Sequence, residues 1–258
     1  MIYDNPLRQR LIKGDIVQAA WLFSRDSDTA EILARAGYPV VIVDHEHGTG
    51  DLASLAHVLR AVRIGGGEPL LRVPSHDPDH LKRVLDAGVR TLMVPLVETA
   101  EQAEAIVAAC RYPPNGRRGY AAGVVRASAF GMRPDYGANA AGELFIAVQI
   151  ESARGLANAR AIAAVDGVDM VFIGPNDLAG NLGFFERLNE KKVHEAVDMI
   201  AAAVTSTGKA LGIIPYGDRS AGDLARLGFA LIATAADYAL LRDSAKADCA
   251  AFTKAVTK

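Results

Sequence analysis

Two carboxylates stand at the ends of apolar runs, where a parallel sheet would bring them together. Glu151 follows residues 148–150, and Asp177 follows residues 172–176 one strand–helix unit later. Neighbouring parallel strands lie about 4.8 Å apart and end at the same edge, so both side chains would open into one cleft. Paired carboxylates suit a Mg²⁺-type cation and leave room for substrate and water. The spacing equally permits Asp177 to cap a helix and Glu151 to form a salt bridge, so both interpretations stay open.

A cluster of polar residues follows another apolar run, in the segment Asp44-His45-Glu46-His47. An imidazole, with a pKa of about 6.5, can move a proton at neutral pH. A zinc site would need a third His or a Cys nearby, and the sequence offers none at a suitable spacing. A hydrogen-bonded loop histidine is the alternative for both His45 and His47.

Arg72 ends the apolar run 69–71. A guanidinium is always charged and binds carboxylate or phosphate oxygens in a fork, which indicates an anionic substrate. The alternative is a structural ion pair with Glu46 or Asp44. Asp86 lies near the end of a predicted helix, where the helix dipole disfavours an acid, so it could orient a His or an Arg.

Several familiar catalytic motifs are absent from the sequence. It contains no GxxxxGK[ST], GxSxG or HExxH, which argues against nucleotide-binding, serine-hydrolase and zincin chemistry. Lys82, Lys209 and Lys246 fall on helical or loop patterns, so no lysine stands at a strand end to form a Schiff base. Metal-assisted chemistry is therefore preferred over imine chemistry.

The elements that must position these residues are short apolar runs alternating with helical patterns. The strands are nearly continuous in hydrophobicity, which is typical of a parallel sheet covered on both faces. Eight strand–helix units in 258 residues predict a (β/α)₈ TIM barrel, and the rival doubly wound sheet lacks its glycine fingerprint after the first strand. The predicted strands are 16–23, 40–44, 69–73, 91–95, 144–151, 170–174, 210–214 and 230–234, and the predicted helices include 51–63, 77–87, 100–109, 152–164 and 238–256. Residues 111–142 form a long segment without a strand pattern, which we interpret as an excursion from the barrel with a function or a role in an interface.

Composition limits the class of protein. Half of the residues are hydrophobic and the net charge is −2, so nothing points to nucleic acid. The two cysteines, Cys110 and Cys249, lie far apart in the sequence, which predicts a reduced, cytoplasmic protein. No apolar run reaches about 18 residues, so we expect no membrane association. We expect residues 1–258 to form one domain.

Read in order, the segments resemble the HpcH/HpaI aldolase family, the class II pyruvate aldolases such as 4-hydroxy-2-oxoheptanedioate aldolase. The resemblance covers about residues 16–240. It rests on these pieces: Trp21-Leu22, Glu31-Ile32-Leu33, Ala36-Gly37, Val43-Asp44-His45-Glu46-His47, Leu71-Arg72-Val73-Pro74, Leu85-Asp86-Ala87-Gly88, Val94-Pro95, Tyr112-Pro113-Pro114, Arg118-Gly119, Arg126-Ala127-Ser128, Val148-Gln149-Ile150-Glu151 and Gly174-Pro175-Asn176-Asp177-Leu178.

This resemblance implies a metal-dependent lyase that cleaves 4-hydroxy-2-oxo acids to pyruvate, or a related 2-oxo acid such as hydroxypyruvate, and an aldehyde. Glu151 and Asp177 would hold Mg²⁺, Mn²⁺ or Co²⁺. His47 would be the general base, with Asp86 as its partner carboxylate, and Arg72 would bind pyruvate. Substrate contacts are also implied for Trp21, Gln149, Gly174 and Pro175, and supporting or acceptor-side roles for Asp44, His45 and Glu46.

The resemblance further implies a trimeric or hexameric homo-oligomer that exchanges its last helix, and a role in the catabolism of aromatic compounds or sugar acids. His45 departs from the small residue expected at its position, which leaves the aldehyde partner open. Oxaloacetate decarboxylation and cleavage of a CoA ester are alternatives on the same barrel, the latter with Arg117 and Arg118 as a phosphate patch. A non-catalytic keto-acid or metal-binding scaffold is a third hypothesis.

Overall fold

Eight parallel strands close into a barrel in sequence order, so the predicted TIM barrel is confirmed. The computed structural model describes residues 5–257. All but one of the predicted strands agree with the structure to within one residue at each end, and the last runs two residues further than predicted. The strands are β1 (Val17–Leu22), β2 (Val40–Asp44), β3 (Glu68–Arg72), β4 (Thr91–Val94), β5 (Phe145–Ile150), β6 (Met170–Ile173), β7 (Ala210–Ile213) and β8 (Leu231–Ala236).

Helices surround the barrel, and the chain also contains a short 3₁₀ turn, Arg126–Ser128. The predicted helix 152–164 is two helices, because the chain bends at Asn158. The helices are α1 (Pro6–Ile12), α2 (Ser27–Arg35), α3 (Leu52–Ile64), α4 (Pro78–Asp86), α5 (Ala100–Cys110), α6 (Tyr136–Glu143), α7 (Ala153–Ala157), α8 (Ala159–Ala163), α9 (Pro175–Asn181), α10 (Lys191–Thr205), α11 (Ala221–Arg226) and α12 (Asp237–Val256).

Each strand contributes to two separate apolar layers. Ala19 and Trp21 of β1 point into the barrel, while Ala20 and Leu22 pack under the helices. Successive side chains of a strand face opposite sides, so burial on both sides gives the continuous hydrophobic runs seen in the sequence. The burial of all six residues of β5 is one consequence.

Helix α1 closes the N-terminal end of the barrel and was not predicted. The side chain of Asn5 caps α1 by accepting from the backbone N–H of Leu7. The same side chain donates to Thr91 Oγ1 at 2.9 Å and to the carbonyl of Glu143 at 3.1 Å. Leu7 is fully buried beneath it. The signal in the sequence was the pair Asn5-Pro6, a cap followed by proline in the first turn.

The excursion 111–142 packs as a small cluster of its own. Tyr112, Ala122, Tyr136 and Ala140 bury one another. The guanidinium of Arg118 lies 4.5 Å from the Tyr112 ring centroid and joins Asp86 at 2.6 Å. These contacts attach the segment to the end of α4.

Helix α12 is attached to the barrel through its first turn. Asp237 is buried and accepts from the backbone N–H groups of Phe23 and Ser24. Beyond that turn the helix is exposed, including Leu241 at 70 % and Phe252 at 68 %. The exchange of this helix between subunits stays a prediction. Within residues 5–257, no helix is long and apolar enough to cross a membrane.

We expect Asn5→Ala to lower the free energy of unfolding by about 1–3 kcal/mol, because it removes a helix cap and leaves buried groups at the barrel end without a partner. Urea denaturation followed by circular dichroism measures the change. Lys13→Ala, at an exposed position after α1, is the matched control and should change stability little. Equal stability of both variants would contradict the assigned role of Asn5.

Candidate active site

The C-terminal ends of the strands surround a cavity of about 480 Å³. Seven of the predicted site residues line it, and apolar side chains complete its wall. The predicted residues are Trp21, His47, Arg72, Gln149, Gly174, Pro175 and Asp177; the wall that the sequence did not reveal includes Phe23, Phe172, Ile214 and Ala239. The cavity is therefore polar on one side and apolar on the other.

Glu151 is buried beside this cavity, directly after β5. Its carboxylate accepts from the backbone N–H of Leu96 at 2.8 Å and from the amide of Gln149. Burial raises the pKa of Glu151 to about 7, the Leu96 hydrogen bond opposes this rise, and the charges of Asp177 and Glu46 add to it. A positive charge beside this carboxyl would favour its ionised form.

Leu96 could not be identified from the sequence. It contributes only its backbone N–H, and its φ of 52° lies in the left-handed region that few residues with a side chain adopt. A strained backbone at this place orients the donor toward Glu151.

Gly174 lies against the same carboxylate. A Cβ at this position would come within 2.4 Å of Glu151 Oε2 and 2.8 Å of Gln149 Nε2. The chain therefore needs a glycine here to let α9 begin beside the strand end. Gln149 Oε1 is buried and has no hydrogen-bond partner among the described residues, so the amide keeps an acceptor for a bound molecule.

Asp177 lies in the first turn of α9 and is exposed to the cavity. It does not cap the helix: Gly174 occupies the cap position, and no side-chain hydrogen bond is made there. Its carboxylate forms no ion pair with the described residues, although its charge raises the pKa of both Glu46 and Glu151. Asp177 therefore has free oxygen ligands next to Glu151.

Arg72 is held from three sides. Its Nε and Nη2 donate to the two oxygens of Asp44 at 2.8 and 2.7 Å, and its Nη1 lies 3.1 Å from Glu46 Oε2. The ring of Trp21 covers the guanidinium at 4.4 Å. The structural ion pair considered as an alternative thus exists, yet Arg72 also lines the cavity. A guanidinium has five N–H donors, so some remain for a substrate oxygen.

Asp44 also shapes the loop that carries the two histidines. It accepts from the backbone N–H groups of Glu46 and His47 at 3.0 and 3.3 Å. The His47 side chain is 64 % exposed over the cavity, with Nε2 3.8 Å from Glu46 Oε2. This exposure leaves an imidazole free to exchange protons with a bound molecule.

His45 does not line the cavity, and its acceptor-side role stays a prediction. Its ring fills the space where a Cβ of Gly50 would lie, 2.7 Å from that position. Burial lowers the pKa of His45, and nearby His80 lowers it further. The ring therefore favours its neutral form and packs as a loop residue.

Within the described chain, His47 and Asp86 each have a different partner, and their predicted pairing between subunits stays a prediction. Asp86 ends α4, and a helix that follows a barrel strand returns to the opposite end of the barrel. Its carboxylate is bound to Arg118 at 2.6 Å. Glu46 is the carboxylate that lies near His47. The sequence could not show that Glu46 takes the place of Asp86, because the choice of partner depends on the end of the barrel at which each residue lies.

The donor set suits a divalent ion. No group of three His, Cys, Asp or Glu that could hold a metal occurs among residues 5–257. Glu151 and Asp177 instead offer two hard oxygen donors, with a third acid, Glu46, close enough to raise the pKa of Glu151. Two protein carboxylates with other positions left to substrate and water are typical of Mg²⁺.

A parallel barrel with an acid pair, an arginine and a histidine around a cavity at its C-terminal rim defines an enzyme of the (β/α)₈ class. The family profile described as HpcH/HpaI aldolase/citrate lyase matches residues 18–244. The chain belongs to this family, as the resemblance of its sequence motifs indicated.

Similar proteins agree with this assignment. The chain is 38 % identical over 242 residues to a hydroxypyruvate/pyruvate aldolase of Roseobacter denitrificans, with 94 % of both chains covered. It is 39 % identical over 213 residues to a 2-keto-3-deoxy-L-rhamnonate aldolase of Klebsiella pneumoniae, covering 83 % of this chain and 80 % of the relative. A crystal structure of an HpcH/HpaI aldolase/citrate lyase family protein from Burkholderia cenocepacia superposes with a TM-score of 0.91 at 39 % identity, covering 96 % and 99 % of the two chains.

We expect the free energy of unfolding of the metal-free protein to fall as the pH rises from about 5 to about 7.5, because Glu151 loses its proton in this interval. The folded state keeps this carboxyl protonated up to a pKa of about 7, whereas its usual pKa is 4.5. The native state therefore binds more protons in this interval, and stability falls as the pH rises. In Glu151→Gln the fall should be smaller by about 1–3 kcal/mol.

Urea denaturation in the presence of a chelator, at both pH values, measures this difference. Glu104→Gln, at an exposed position on α5, is the control and should keep the pH dependence of the unaltered protein. The same pH dependence in Glu151→Gln and the unaltered protein would refute the assignment.

Proposed function

We propose that this protein is a metal-dependent aldolase that reversibly cleaves 4-hydroxy-2-oxo acids to pyruvate, or hydroxypyruvate, and an aldehyde. The observation that carries the proposal is the grouping of Glu151, Asp177 and Arg72 at one rim, beside one cavity. Relatives with such names, about 40 % identical over most of the chain, support it.

Glu151 and Asp177 would hold the divalent ion, which we propose to be Mg²⁺, Mn²⁺ or Co²⁺. When bound, the ion supplies Lewis-acid polarisation of the 2-oxo group. The two carboxylates have different tasks: Glu151 is fixed by Leu96 and Gln149, while Asp177 has no protein partner among the described residues and can adjust to the ion.

Arg72 would bind the 2-oxo acid and stabilise the negative charge that develops on its oxygen during cleavage. Asp44 and Trp21 hold the guanidinium in place before the substrate arrives, so little reorganisation is required. The bidentate pair also balances one positive charge, which keeps the arginine compatible with burial.

His47 would move the proton. In the cleavage direction, a base removes the proton of the C4 hydroxyl, the C3–C4 bond breaks, and the aldehyde separates from the pyruvate enolate. His47 is exposed over the cavity and adjacent to Glu46, which can stabilise the imidazolium once the proton is taken up.

The remaining wall would position the substrate and exclude water. Gly174 and Pro175 line the cavity beside Glu151, and a flat keto acid would lie against them. Phe172 and Ile214 form the apolar side, against which the aldehyde portion would lie. Because His45 is not part of this wall, it would act on the acceptor only through the loop.

We propose oxaloacetate decarboxylation as a side activity of the same site, because this reaction passes through the same enolate. Nothing favours the CoA-ester alternative. Arg118, half of the proposed phosphate patch, is buried and paired with Asp86. Arg117 is exposed and its side chain donates to the carbonyl of Ala105 at 3.5 Å. A role as a non-catalytic scaffold is not favoured either, since Glu151, Asp177, His47 and Arg72 are all present at the rim.

We also propose a trimeric or hexameric assembly in the cytoplasm. The exposed apolar residues of α12, such as Leu241 and Phe252, need a cover that the barrel of the same chain does not provide. Exchange of the helix between subunits would bury them. The buried thiol of Cys110 and the exposed thiol of Cys249 are both free, which suits a reducing compartment.

Asp177→Asn should abolish exchange of the pyruvate methyl protons with deuterium, because one of the two metal ligands is lost. ¹H NMR with added Mg²⁺, Mn²⁺ or Co²⁺ measures the exchange, and we expect at least a 100-fold loss, equivalent to about 2.7 kcal/mol or more. Asp166→Asn, an exposed aspartate that pairs with Arg111, is the control. Absence of exchange in the unaltered protein with all three metals would overturn the proposed function.

Leu241→Ser combined with Phe252→Ser should shift the protein toward smaller assemblies, since both changes remove apolar area that the oligomer would bury. Analytical ultracentrifugation measures the mass. Thr253→Ser, on the same exposed helix, should leave the mass unchanged. A monomeric unaltered protein would contradict the proposed assembly.

A further inference from the structure

A second cavity, of about 460 Å³, lies at the N-terminal end of the barrel. Arg90 and Leu144, which precede β4 and β5, line it, so it is away from the rim that carries Glu151. Its most distinctive feature is a set of five arginines: Arg60, Arg63, Arg90, Arg126 and Arg133.

Two of these arginines have carboxylate partners. Arg90 donates to both oxygens of Glu68 at 2.9 and 2.8 Å. Arg133 is bound to Glu143, which also lines the cavity. The two acids of this region are therefore already matched with an arginine each.

Arg60, Arg63 and Arg126 form no ion pair with any described residue. Arg63 donates to the carbonyl of Gly88 at 3.3 Å, and Arg126 donates to the adjacent carbonyl of Ala87 at 2.8 Å. Two guanidiniums from different elements are thus held side by side at the end of α4. A Cβ on Gly88 would lie 2.5 Å from Arg126 Nη1, so the glycine makes room for this approach.

This arrangement is unfavourable for the protein alone. Burial lowers the pKa of both Arg63 and Arg126, although the charges of Glu68 and Glu143 raise the pKa of Arg63. The charge of Arg60 lowers the pKa of Arg126 further. The Nε of Arg63 is buried and has no hydrogen-bond partner among residues 5–257. Several like charges around a partly buried space, with unused donors, favour binding of a negative ion.

We propose that this cavity binds a phosphate monoester, with its phosphate between Arg60, Arg63 and Arg126. A tetrahedral dianion accepts hydrogen bonds from several directions, which suits arginines from α3 and from the excursion, whereas a planar carboxylate matches one guanidinium fork. Val89, Phe130 and Met132 also line the cavity and would contact the organic part of the ester. This site is independent of the proposed aldolase reaction.

Isothermal titration calorimetry at constant ionic strength tests the site, with inorganic phosphate, glycerol 3-phosphate and malonate as probes. We expect saturable binding of both phosphates, tighter for the ester and weakest for malonate. Arg63→Gln and Arg126→Gln should each weaken it by about tenfold or more. Arg60→Gln, at an exposed position, removes one charge without risk to the fold and should weaken it as well.

Arg35→Gln is the matched control, because this exposed arginine of α2 pairs with Glu31 and does not line the cavity. Phosphate binding that persists unchanged in all three cavity variants would overturn the proposal, and so would preferential binding of malonate. A change of mass of these variants in analytical ultracentrifugation would also overturn it, since the arginines would then pair with carboxylates of a second copy of the chain.

Discussion

Closure of the parallel barrel is the constraint on which the rest of this structure depends. Eight parallel strands in sequence order place the C-terminal end of every strand at the same rim, and the helices between the strands return the chain to the other end. Residues far apart in sequence, such as Arg72 and Asp177, therefore meet at one cavity. The same rule separates residues that a motif suggests should meet, as with His47 and Asp86.

At the rim, the positive charge of Arg72 and the negative charges of Glu151 and Asp177 are treated differently. The positive side is balanced internally, because Asp44 accepts from Nε and Nη2 of Arg72, Glu46 lies beside Nη1, and Trp21 covers the face of the guanidinium. The negative side is left unbalanced, because Glu151 is buried with a raised pKa and Asp177 has no cationic partner among residues 5–257. An imbalance of this kind raises the affinity for a cation at the place where a 2-oxo acid would be chelated.

The opposite end of the barrel shows the reverse imbalance. There Glu68 and Glu143 each balance one arginine, while Arg60, Arg63 and Arg126 carry unmatched charge around a second cavity. One chain of nearly neutral net charge thus has an acidic centre at one end and a basic one at the other. The net charge alone hides both, because it sums over groups that lie far apart.

The sequence by itself determined the barrel, the strand positions and the identity of most rim residues. Because both faces of each strand are buried, the strands are visible in the sequence as continuous apolar runs. Residues at strand ends, such as Glu151 and Arg72, stand at the ends of those runs. Only the tertiary structure decided the contacts that join distant segments: the N–H of Leu96 on Glu151, the side chain of Asn5 at the barrel end, and Arg118 on Asp86. The physical reason is that closure of the barrel brings these partners together. A backbone N–H donor, moreover, is present in almost every residue type, so the sequence does not identify it.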